Sequence, residues 1–210
     1  MIVYVPGEGQ QFFDATDKFS DLPSVVHSGF AGQDVLLVEP GPARFVKIPT
    51  VTGNGPEAVR VERTVTVGAD ARLDVQEQVT LRGPAAAAVR SMLSPVEAQE
   101  RKLELERWLG GDLRITTMQL DDLDEPARPL KVKLRYSPKI SLHEVDGDWV
   151  GTLPMQWERR HFWTPDDDER RSPFRLRAAY SVSSTSVVAA PSAREVVTLQ
   201  PRASSPASAE

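Results

Sequence analysis

Cysteine is absent from the 210 residues, and that one absence removes disulfides, thiolate metal sites and a cysteine nucleophile from anything this chain does alone. It leaves the redox compartment open. Histidine is nearly as scarce, with His27, His143 and His161 the full set, and none of them stands in a nucleophile or metal-ligand arrangement. No apolar run approaches the roughly 18 residues that a helical membrane span needs, and the N-terminus lacks the basic-then-apolar layout of a secretion signal. An excess of positive charge is missing too: 25 lysines and arginines stand against 30 aspartates and glutamates, for a net charge of -5. That balance speaks against nucleic acid as a partner. The 40% apolar content suffices for one large core or two modest ones, and we read two units.

The first unit opens on strands. Residues 2 to 5 and 10 to 14 form a hairpin around Pro6-Gly7-Glu8-Gly9, a loop of turn residues without the third glycine and following helix of a phosphate loop. The second strand, through Phe12 and Phe13, stops at an acidic turn, Asp14 to Asp17, whose side chains hydrogen-bond their own backbone. A carboxylate therefore sits at a strand end, where some enzymes keep the group that orients a catalytic imidazole. Val35 to Val38 and Phe45 to Pro49 are two more apolar stretches, with Gly41-Pro42 as the turn between them. His27, alone in a loop, is read as structural or exposed. The strand at Ile2 begins with no lead-in, so we expect the chain to be a fragment. Gly53-Asn54-Gly55-Pro56 marks the domain boundary.

Beyond it the period-two signal is clear. Val59, Val61, Val65 and Val67 alternate with polar residues, and Leu73, Val75, Val79 and Leu81 do so again, as half-buried strands require. A turn over Gly68 to Arg72 puts Val67 opposite Leu73 and Val59 opposite Leu81. In that register Arg63, the charged interruption of one strand, faces Glu77, the interruption of the other. We read Arg63 and Glu77 as a structural pair that favours the register by about 0.2–1 kcal/mol. A helical excursion follows over about residues 85 to 109, restarting at a capping box, Ser94-Pro95-Val96-Glu97, and closing on Gly110-Gly111. Ala98, Leu105, Trp108 and Leu109 share one face, which is expected to lie on a sheet. Strands return at Leu113 to Leu120 and Leu130 to Tyr136, the latter with Lys131, Lys133 and Arg135 as a solvated basic stripe.

Further strands are expected over Trp149 to Trp157, over Phe174 to Val188 as one long strand or two shorter ones, and over Arg194 to Leu199, before a small polar tail from residue 202 that is expected to be disordered. The acidic runs Asp121 to Glu125 and Asp166 to Glu169 lack the alternating oxygen spacing of a calcium loop and are read as exposed turns, so no metal or cofactor is expected. Arg160, His161 and Trp163 mix cations with aromatics and are the candidate surface for a glycan or peptide. The fold class is mainly β: an antiparallel β-sandwich with one helical excursion, preceded by a few strands of another domain.

The succession Ile2-Val3-Tyr4-Val5, Phe12-Phe13-Asp14-Ala15-Thr16-Asp17, Leu22-Pro23, Gly32, Val35 to Val38 and Val46-Lys47-Ile48-Pro49 resembles the end of a bacterial transglutaminase-like core, a family related in fold to papain-like cysteine enzymes. The resemblance implies a Cys, His, Asp triad in which Asp14 is the third member, with Ala15 in place of the usual proline. The cysteine and histidine would lie before residue 1, so these residues alone are expected to be catalytically inert. Residues 51 to 201 are similar in layout to the β-rich domain that follows the core in exported members. This implies a periplasmic or envelope location, the upstream core as partner, and a covering or positioning role. The alternatives are a fragment of a cysteine-dependent acyltransferase or peptidase, or an independent glycan- or peptide-binding module.

Overall fold

The computed structural model describes residues 2–5, 11–14, 18–19, 32–48, 57–139, 142–161 and 181–190. Two small hairpins come first. β1 (Ile2–Val5) pairs with β2 (Gln11–Asp14), and β3 (Asp34–Leu37) with β4 (Arg44–Lys47). Phe12 and Ile48 are buried together, with Tyr4, Val35 and Val46 packed against them, in a cluster separate from the main core. The sequence signals located all four strands.

The main body is a five-stranded sheet in the order β11–β5–β6–β8–β7. β5 (Glu57–Val67) and β6 (Leu73–Leu81) meet in the register that the spacing requires, Val67 opposite Leu73, Arg63 opposite Glu77 and Val59 opposite Leu81. β8 (Leu130–Pro138) pairs with β6, and β7 (Leu113–Leu120) pairs with β8 around an irregularity between Ile115 and Thr117. β11 (Ser181–Ala189) lies parallel to β5. Residues 143 to 150 make a third small hairpin, β9 (His143–Val145) with β10 (Asp148–Val150).

Alternation along the strands creates two unlike faces. Val59, Val61, Val65, Val75, Val79, Leu130, Val132 and Tyr136 point to one side and are buried, and full burial of each Val or Leu there contributes about 1.5–3 kcal/mol. Three helices cover that side: α1 (Gly83–Leu93), α2 (Arg101–Trp108) and α3 (Gln156–His161). Val89 and Leu93 of α1, Leu105 of α2 and Trp157 of α3 join the strands in one cluster. Arg90, buried on α1, donates from Nη2 to the carbonyls of Glu125 and Arg128 at 2.8 Å each, tying the 121–129 turn to the helix.

The chain is mainly β, as its pattern implies. The finer layout differs from a sandwich of two antiparallel sheets. Among the described residues one sheet is covered by helices, and its β11 edge runs parallel to β5, a pairing that the long intervening chain permits and a hairpin turn would not. The capping box is also not used. Ser94 closes α1, its N–H bonded to the Arg90 carbonyl, and residues 94 to 100 are turns. Arg101 draws the chain there, its Nε donating to the carbonyls of Leu93 and Val96 at 3.1 and 2.9 Å. Ala98 is consequently exposed, while Leu105 and Leu109 are buried as their spacing suggests. The end of α2 holds as read: Gly110 and Gly111 adopt positive φ, and the Gly111 N–H reaches the Glu106 carbonyl. The expected strand from Trp149 to Trp157 is instead β10 followed by the start of α3.

Candidate functional site

The period-two pattern forces Arg63 and Glu77 onto the buried side of the sheet, where an ionised side chain without partners would be very costly. They are not left so. Arg63 Nε donates to Glu77 Oε1 at 2.5 Å, and its Nη2 donates to Glu158 Oε2 of α3 at 3.0 Å. All three side chains are at most 3% exposed. Each remaining oxygen finds a donor. Trp157 Nε1 donates to Glu77 Oε2 at 3.1 Å, the Tyr136 hydroxyl donates to Glu77 Oε1 at 3.0 Å, and the Ser184 hydroxyl donates to Glu158 Oε1 at 2.6 Å. Arg63 Nη1 also donates to the Ser186 hydroxyl at 3.2 Å. One guanidinium thus serves two carboxylates, and the network joins β5, β6, β8, β11 and α3.

The electrostatics follow from burial and pairing. Burial works against the charged guanidinium of Arg63, but the Glu77 and Glu158 carboxylates more than reverse it and hold Arg63 above its ordinary range. Glu77 is pushed up, first by loss of water and against the pull of Arg63. Burial and the adjacent Glu77 carboxylate raise Tyr136. The pair read as a weak cross-strand contact is therefore a desolvated ion network, in which removing one partner costs far more than an exposed pair is worth.

Sequence reasoning missed Glu158, Trp157 and Tyr136 as members. A signal existed. Two charges amid an apolar face must be buried, a guanidinium has donors to spare for a second acid, and Tyr136 lies on the same face of the next strand but one. Reading residues 149 to 157 as a strand left Glu158 without an address on the sheet.

The opposite face of the sheet is polar and open. It forms a shallow depression of about 530 Å³ around Glu62, Gln76, Gln78, Lys133 and Arg135. Arg135 is held there by Asp74 through Nε and Nη2, at 3.1 and 2.9 Å. Lys131, Lys133 and Arg135 all face this side, as their alternation implies.

No family model, curated protein or solved structure matches this chain. The other sequence candidates scatter. Asp14 ends β2 opposite Ile2, and its side chain lies outside the described residues. Arg160 is on α3, its guanidinium 5.2 Å from the centroid of the Trp108 ring, which in turn packs 5.6 Å from Trp157. That contact ties α2 to α3. The His161 side chain and Trp163 lie outside the described residues, as do His27, the acidic run 166–169, the expected strand 194–199 and the tail. The acidic run Asp121 to Glu125 is a turn, as read. Among the described residues no three His, Cys, Asp or Glu side chains are grouped as a metal site, and no helix is long and apolar enough to cross a membrane.

Proposed function

We propose that residues 51 to 201 are a non-catalytic module of a transglutaminase-like protein, which covers or positions a core ending in residues 1 to 50 or binds an envelope partner. The closure of the buried network carries this reading. A carboxylate acting as acid, base or nucleophile must reach a substrate atom. Glu77 and Glu158 reach Arg63, Tyr136, Trp157 and Ser184 of their own chain instead. The network is built to hold α3 and β11 on the sheet. Mixing the chain with its upstream core and measuring association by sedimentation is the direct test. A complex is expected, and no association at the highest attainable concentration counts against the covering role.

A second reading is favoured by Asp14 closing β2: the parent is a cysteine-dependent acyltransferase or peptidase, and Asp14 orients its imidazole. In the full-length polypeptide Asp14→Asn then lowers turnover by about 10⁴-fold, the loss expected when the imidazole takes the wrong tautomer. Unchanged turnover removes Asp14 from the triad.

A further inference from the structure

The two edges of the five-stranded sheet are built differently. β7 is guarded. Its ladder is interrupted between Ile115 and Thr117, and the Ile115 N–H is already taken by Glu106 Oε1 of α2 at 2.6 Å. Such interruptions and covering contacts are how natural sheets prevent further strands from adding. On β11 the ladder to β5 shifts only at its first residue, between Ser181 and Val182, and among the described residues no side chain takes an outward-facing N–H of the strand. It runs nine residues, Ser-Val-Ser-Ser-Thr-Ser-Val-Val-Ala, without a charge or a proline. Among the described residues it pairs only with β5. Alternate N–H and C=O groups along it therefore point away from the sheet.

We propose that β11 is a dimerisation edge, pairing antiparallel with β11 of a second copy about a two-fold axis at Thr185, so that two sheets join into one. The residues favour a copy of this chain as occupant. In that arrangement Thr185 faces Thr185, Ser184 faces Ser186, Ser183 faces Val187 and Val182 faces Val188. No like charges meet, because the strand has none. Opposed residues in an antiparallel pair share a face, so the faces stay matched. Val182 and Val188, both half-buried against the main core, extend the helix-covered side. Val187, 59% exposed, gains cover on the open side. A self-complementary patch of this kind is what a two-fold interface requires. The proposal does not depend on the module serving a core.

The absence of cysteine makes the test clean. In the full chain, Thr185→Cys places a thiol opposite its own copy and should cross-link to a dimer under mild oxidation. Ser183→Cys, facing Val187, should cross-link poorly, as should Gln119→Cys on the guarded edge. Sedimentation should find a dimer that dissociates on dilution, and Thr185→Lys should weaken it about fivefold by setting like charges opposite each other. Circular dichroism confirms that the variants fold, which is expected at an exposed position. A monomer at every concentration overturns the proposal, whether residues beyond 190 or another protein's strand fill the edge. So does a dimer that Gln119→Cys traps and Thr185→Cys does not.

Discussion

Arg63 is the only cation in a buried group that holds two carboxylates, and its loss is the most damaging single change in the network. Arg63→Met leaves Glu77 and Glu158 desolvated beside each other, and the expected cost is about 3–5 kcal/mol. Urea denaturation of the purified chain measures it. Adding Glu77→Leu and Glu158→Leu removes the orphaned charges and should recover part of the loss. Recovery is incomplete, because Trp157 Nε1 and the Tyr136 hydroxyl then lack their acceptor. A Met variant as stable as the parent would mean that the ion network carries no weight. Protonation adds a second test. Burial raises Glu77 above its ordinary range, so the folded state binds a proton more tightly than the unfolded chain does. Its contribution is present below the unfolded value, about 4.3, and is lost as pH rises through the folded one. The stability of the parent relative to Glu77→Gln should therefore fall as pH rises from the acid range. Denaturation midpoints at several pH values check the sign, and a gap that widens in the parent's favour reverses it.

At the scale of elements, local signals and tertiary contacts competed, and the winner differed from place to place. Ser94 has the sequence of a helix N-cap but closes α1 through its backbone N–H, and the N-cap of α2 is Glu100. Ser94→Ala should change stability by less than about 0.5 kcal/mol, as for a surface position, whereas a working cap would cost about 1 kcal/mol. Chemical denaturation separates the two. Glu106 had no role legible in sequence, yet it accepts the Ile115 N–H at the β7 edge. Glu106→Ala should cost about 1 kcal/mol and speed exchange of the Ile115 amide. Exchange unchanged from the parent would show that water serves equally well there. α3 is the clearest case. Six residues are too few to be a stable helix alone, and what holds α3 is Trp157 and Glu158 sunk into the sheet's polar centre.

Across the whole molecule, the described residues bury their apolar side chains in two clusters that share no member. Phe12→Ala should cost the β1–β2 and β3–β4 hairpins about 3–5 kcal/mol of local stability while leaving amide protection over residues 57 to 139 unchanged. Hydrogen exchange resolves the two regions, and a loss of protection in both would show that they fold as one unit.

Much of this architecture was legible in the residues themselves. The alternation from Val59 to Leu81, with the turn over Gly68 to Arg72, determined a hairpin, its register and the meeting of Arg63 with Glu77, because the period of two puts every valine on one face and the turn sets which residues meet. The N-terminal strands, the helical excursion and the strands at Leu113 and Leu130 were likewise local matters of pattern and turn chemistry. Two things required the tertiary structure: the third partner of the Arg63 pair, Glu158, and the parallel placement of β11. Neither has a local signature. Glu158 lies 95 positions from Arg63 and Ser186 lies 123 from it, and only packing α3 and β11 against one sheet brings such distant groups within hydrogen-bond reach.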